Sequence, residues 1–177
     1  MNESKPGPMI LRYGLTGGLI TSLIFLIATI GGLANPSNTS SNVLIGLLSF
    51  AVLVTMVVIA TRKQRDEFQG GFISLGQCIL IGVGVVLLSA LISSVISLIY
   101  TRIVDPGYMD RMMSGMEEAW EAQGLNEEQI EQAKTWTNFM KNPFLSIASN
   151  LLCFGLGGLI LSLITGLIMK KDRPEFT

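Results

Sequence analysis

Met109, Met112, Met113 and Met116 form a Met-x-x-Met-Met-x-x-Met run, the strongest candidate for chemistry in the chain. Thioethers gathered on one helical face are soft ligands suited to Cu(I). The same spacing is that of an apolar helix face, for which methionine is an adaptable filler. No histidine occurs anywhere, and no cysteine lies near the run, so packing is the favoured reading and no metal or cofactor is expected. Glu117, Glu118 and Glu121 follow directly, but on a helix they fall on a solvated polar face. Without histidine there is no His-based triad, no imidazole base and no imidazole metal site. Cys78 and Cys153 stand alone inside apolar runs, where free cysteine behaves as a small hydrophobe. No enzymatic activity is expected.

The elements that would carry these residues are set by charge. Between Tyr13 and Thr61, 49 consecutive residues carry no Asp, Glu, Lys, Arg or His, and Phe68–Thr101 and Asn142–Met169 are likewise uncharged. Only 14% of the 177 residues are charged, and mean hydropathy is +0.54. Soluble domains carry roughly 25% charged residues. A helix needs ~20 apolar residues to cross the hydrocarbon core. The first tract holds two such helices, divided by the turn cluster from Ala34 to Asn42. Four spans follow, at about 11–33, 43–61, 72–100 and 143–169. The predicted fold class is all-α: one membrane domain over 1–177, with an exterior amphipathic helical hairpin at 102–142 between spans three and four. The first apolar stretch exceeds the length of a signal-peptide core, which predicts an uncleaved span.

Basic residues give the orientation. Lys5, Arg12, Arg62, Lys63, Arg65, Lys170, Lys171 and Arg173 flank one side, while segment 102–143 carries eight acidic and four basic residues. The positive-inside rule then predicts cytoplasmic termini and an exterior segment, in a bacterium the periplasmic side of the inner membrane. Lipid is the expected surround. No basic patch with interleaved aromatics supports nucleic-acid binding.

Small residues predict how the spans pack, because helices in lipid associate through close backbone approach. Span one offers Gly14, Gly18 and Ser22 at four-residue spacing, and span four offers Gly158, Ser162 and Gly166. Intramolecular packing is their simplest use, with homo-oligomer contacts the alternative. Ser89, Ser93 and Ser97 make a similar line in span three, while span two is rich in Leu and Val and is expected to face lipid. Gly17–Ile24 and Gly157–Ile164 differ at one position, an echo read as coincidence between apolar helices rather than a transporter-type repeat. No charged side chain lies between Tyr13 and Thr61, between Phe68 and Thr101 or between Asn142 and Met169, which disfavours proton relays and intramembrane proteolysis. Gln77 and Asn150 are expected to hydrogen-bond between helices.

The 102–143 segment is fully punctuated. Asp105-Pro106 reads as an N-cap with proline at the first helical position. The methionines, Ala119 and Trp120 then recur on one face up to Gly124, a helix stop. Asn126 and Gln129 form a capping-box variant for a second helix, with Leu125 and Ile130 as its staple. Ile130, Ala133, Thr137 and Met140 form its weaker stripe, and Trp136 and Phe139 suit the interface.

The whole pattern resembles the small bacterial membrane proteins catalogued as domain-of-unknown-function family 4199. The resemblance is carried by Tyr13-Gly14-Leu15, the loop Arg62–Phe68 running into Gln69-Gly70-Gly71-Phe72-Ile73-Ser74-Leu75-Gly76-Gln77, and Asp105-Pro106-Gly107-Tyr108. It implies four spans with a soluble insertion and implies no activity. The expected function is a non-enzymatic structural or accessory role in contact with other membrane proteins, or, as the alternative, a transporter or channel component, metal-related if the methionines bind.

Overall fold

The computed structural model describes residues 6–34, 38–139 and 142–171. Among them are six helices: α1 (Gly7–Ile30), α2 (Thr39–Lys63), α3 (Leu75–Ile99), α4 (Tyr108–Ala122), α5 (Glu127–Phe139) and α6 (Pro143–Met169). π-helical turns at Gln64–Phe68 and Tyr100–Val104 prolong α2 and α3. Among the described residues, α1, α2 with its extension, α3 with its extension and α6 are long and apolar enough to cross a membrane. The protein is therefore all-helical and multi-pass. The expected residues Lys5, Met140 and Arg173, and 35–37 of the predicted turn, lie outside the described set, as do the side chains of Trp136 and Phe139.

The helix ends follow local chemistry, with two departures from expectation. Asn142 accepts from the Phe144 amide at 3.0 Å, and Pro143 opens α6. Asn126 and Gln129 exchange backbone–side-chain bonds of 3.0 and 2.9 Å, the predicted capping box. Gly124, at φ +78°, ends α4, while the Leu125 amide bonds back to the Trp120 carbonyl. Asp105, however, is not an N-cap. The helix starts at Tyr108 behind Gly107, and the Asp105 carboxylate is engaged by Arg111. Gln77 does not reach a neighbouring helix either; its side chain accepts from the Ser74 amide and closes a capping box on α3. A capping partner three residues away costs less ordering than one on another helix.

α3 is the shared partner of the bundle. Its face at Gly84, Leu88 and Ile92 meets Ile10, Gly14 and Gly18 of α1, four residues at a time and in parallel. The face at Cys78, Gly82, Val86 and Ser94 meets Gly166, Ser162, Gly158 and Asn150 of α6 in antiparallel order. The Ile73–Lys171 bridge, with bonds of 3.0 and 3.1 Å, is one more step of that antiparallel pairing. Gly70 and Gly71, at φ +61° and +89°, turn the chain so that Ile73 reaches Lys171. The buried core of Met9, Tyr13, Val57, Ala60, Ile73, Cys78, Ile81, Val85 and Val86 lies toward the end carrying Arg12, Arg62 and Lys171. Toward the other end the packing loosens. α2 buries Leu53, Val57, Ala60 and Thr61 but none of its residues before Leu53.

Neighbouring glycines therefore differ sharply. A Cβ at Gly158 would stand 3.0 Å from Val86 Cβ, and one at Gly18 would stand 2.8 Å from Ile92 Cβ, whereas Gly157 has nothing within 4 Å. Gly18→Leu and Gly158→Leu should each lower stability by about 1–3 kcal/mol through overpacking, while Gly157→Ala should hold or raise it by replacing a helical glycine. Thermal unfolding in detergent reads the difference. Equal midpoints for Gly158→Leu and Gly157→Ala would remove the α3–α6 register from the account.

Candidate functional site

The expected packing residues are placed as follows. Gly14 lies against Leu88 and Gly18 against Ile92, while Ser22 Oγ donates to the Gly18 carbonyl at 2.6 Å. On α6, Gly158 lies against Val86, Ser162 Oγ donates to the Gly158 carbonyl beside Gly82, and Gly166 lies against Leu75 and Cys78. The two halves of the sequence echo thus do similar work on opposite faces of α3. In each, a glycine lets the backbones close and a serine bonds one turn back, leaving no free hydroxyl in lipid.

Between the closed end and α4 the four spans border a partly open cavity of about 200 Å³. Thr21 and Phe25 come from α1, Ser49 and Leu53 from α2, Ser89, Ala90, Ser93 and Ser97 from α3, and Asn150 and Phe154 from α6. The wall contains no ionisable side chain. Part of its polarity is used in bundle assembly. Ser89 donates to the Gly14 carbonyl at 3.0 Å and Ser93 to the Gly18 carbonyl at 3.2 Å. Thr21 and Ser93 hydroxyls are 2.7 Å apart, and Asn150 Nδ2 donates to Ser94 Oγ at 3.2 Å. Such interhelical bonds are worth about 0.6 kcal/mol each in membranes. Asn150 thus makes the interhelical bond expected of it. Thr21, Phe25, Ser49, Leu53, Ala90 and Phe154 are the lining residues that sequence reasoning missed. The available signal was the recurrence of uncharged polar residues on every span.

The cavity adjoins the root of α4. Phe25, which lines it, stacks edge-on with Tyr100 and Tyr108 at centroid distances of 6.0 and 6.2 Å, and the two tyrosines are 6.1 Å apart. Such pairs add about 0.5–1.5 kcal/mol beyond area burial. α4 itself buries none of its residues among the described ones. Met109, Met113 and Met116 are half-buried and Met112 is exposed. Glu117 pairs with Lys134 across the turn, which joins α4 to α5, and Glu118 and Glu121 are exposed. Among the described residues no group of three or more His, Cys, Asp or Glu could hold a metal. Cys78 is buried in the core and Cys153 is exposed on α6.

A family model described as "Protein of unknown function (DUF4199)" matches residues 12–171. The chain belongs to this family. The match takes in all four spans, the cavity and both α4 and α5, so these are parts of the DUF4199 unit. No curated protein and no solved structure matches the chain. The DUF4199 description carries no activity to any residue, and the physical chemistry of the site has to supply the function.

Burial holds the Tyr108 phenol above its ordinary value of 10.0, because the ionised form would lose solvation against Phe25 and Tyr100. A raised folded-state value means a contribution to α4 attachment that is complete below the ordinary value. It is lost as pH rises through the raised one. Trp120 fluorescence, followed from neutral to alkaline pH in detergent, should change above about pH 10. Tyr108→Phe should diminish that transition; an identical profile in the variant would separate the aromatic contact from α4 docking.

Proposed function

We propose that this DUF4199 protein is a non-enzymatic accessory protein that contacts another membrane protein through the apolar face of α4. The observation that carries the reading is an imbalance. α4 places Met109, Met112, Met113, Met116 and Trp120 at helical spacing, yet it buries none of its residues and is held mainly at its root by Tyr108. Methionine-rich faces adapt to irregular partners, and flexible thioethers need no fixed geometry. The uncharged spans support the same reading, since a chemical step or a proton path would need ionisable groups within them.

In this reading the protein sits in the bacterial inner membrane with both termini in the cytoplasm. Arg12, Arg62, Lys63, Arg65, Lys170 and Lys171 support that orientation by gathering at one end of the spans. α4 and α5 then face outward, where the net negative charge of 102–143 meets no positive-inside penalty. Glu118→Cys and Lys171→Cys, each in a background freed of Cys78 and Cys153, should differ in labelling by an impermeant maleimide on intact spheroplasts. The Glu118→Cys chain should react and the Lys171→Cys chain should not; equal labelling would reverse or remove the assignment.

Mild-detergent purification from native membranes tests the partner. The unaltered chain should carry a stoichiometric companion, and the double variant Met112→Glu, Met116→Glu should lose it while keeping helix content and elution as a folded chain. Recovery of the same companion by both would sink the α4 interface, and so would an unaltered chain that purifies alone. A second reading, a transporter or channel component, is favoured by the hydroxyl-lined cavity within the spans. A solute flux into vesicles that depends on the chain would support that one instead.

A further inference from the structure

The cavity between the spans has features that α4 docking does not use. Its wall is uncharged and mostly apolar, set with hydroxyls from α1, α2 and α3 and the Asn150 amide, and it stands in the loosely packed half of the bundle. Ser49 and Ser97 line it and make no hydrogen bond to other described residues, whereas Ser89 and Ser93 bind carbonyls of α1. Hydroxyls facing a gap in hydrocarbon cost free energy unless a partner arrives. That partner must be neutral, because no charge in the wall offsets an ion at this depth.

Depth narrows the class. At 1.5 Å per residue, Ser97 lies ~10 Å from the Val104 end of the α3 span, and Asn150 ~10 Å from the Pro143 end of α6. Ser49 lies ~15 Å from the Thr39 end of α2 by the same measure. The α2 and α3 spans, 30 residues each, are ~45 Å long against ~30 Å of hydrocarbon, so Ser49 and Ser97 fall in its outer part. This is the zone where the ester carbonyls of a phospholipid lie and where its acyl chains begin. Ester carbonyls are neutral acceptors, and serine hydroxyls and an asparagine amide are donors. The wall suits the chains: Phe154 of α6, which lines the gap, is an exposed apolar side chain, and Phe25 and Leu53 line it as well.

We propose that the cavity is a lipid site that takes the glycerol-ester region of one membrane phospholipid. Ser49 and Ser97 are its ester-binding donors, with acyl chains leaving between α2 and α6. Phe25 joins the cavity wall to the Tyr100–Tyr108 cluster, so the lipid would lie directly beneath the root of α4. The site stands apart from the α4 interface, and the experiment reads lipid alone.

The purified full chain, stripped and re-equilibrated in neutral detergent, is offered an equimolar mixture of palmitoyl-oleoyl phosphatidylethanolamine and its di-ether analogue. Native mass spectrometry then counts retained lipid. One ester lipid per chain should be retained, favoured over the ether by about tenfold (about 1.4 kcal/mol). Ser49→Ala with Ser97→Ala, which leaves the cavity open, should abolish the preference. Ser49→Leu, which fills the cavity, should abolish retention. Equal retention of ester and ether by the unaltered chain would mean ordinary boundary lipid and would overturn the site. So would an ester preference that survives the double alanine variant, or a lipid-free dimer in which a second copy occupies the gap. Unfolding midpoints of the alanine variant close to those of the parent exclude loss of fold as the cause.

Discussion

Close backbone approach along α3 is the constraint on which the rest of the molecule depends. In lipid the apolar side chains of a helix gain little from leaving one another's company for hydrocarbon, so a bundle holds only where backbones come near enough for dispersion and short polar bonds. Gly84 admits Ile10, Gly14 admits Leu88 and Gly18 admits Ile92; on the opposite side Gly82 admits Ser162 and Gly158 admits Val86. A single helix thus serves two partners in two registers. Nothing bulky can be added to either face without moving a neighbour. The Ile73–Lys171 bridge continues the second register beyond the helices, and the Arg65 guanidinium, 3.5 Å from the Met169 carbonyl, adds charge where the C-terminal helix dipole favours it.

That constraint also explains where the bundle is loose. The close-packed positions of α1 and α6 lie along α3, whereas α2 has a single glycine, Gly46, and a Cβ there would meet nothing within 4 Å. Its first half, from Thr39 to Val52, is left unburied. A gap results in that half, bounded by hydroxyls on α1, α2 and α3 and by the Asn150 amide on α6. Polar groups in such a gap do two things at once. Those near α1 lock the α1–α3 contact through carbonyls at Gly14 and Gly18, and those farther out remain available.

The α4–α5 segment stands in a different physical regime. Its polar faces are charged, its turn is closed by Gly124 and a capping box, and its link to the spans is an aromatic cluster rather than a glycine seam. Phe25 belongs to both regions, since it lines the cavity and packs against the tyrosines that hold α4. The root of α4 and the cavity therefore meet at one side chain.

Much of the architecture was legible in the residues because the solvent dictates it. Tracts such as Tyr13–Thr61 have no stable place in water, and proline, asparagine and glycine at Pro143, Asn126 and Gly124 act within a turn of where they stand. Glycine spacing likewise announced close faces on α1 and α6. Periodicity could not say which helix each face would meet, since Gly18 and Gly158 sit in nearly identical words and both choose α3. It also could not show that Gln77 caps its own helix while Asn150 crosses to Ser94, or that Asp105 goes to Arg111 instead of the α4 amides. Least of all could it assemble Thr21, Ser49, Ser97 and Asn150 around one cavity. Sequence records what each residue prefers as a neighbour and a solvent; the meeting of four helices decides which preferences are granted together, because only there do residues far apart in the chain compete for the same space.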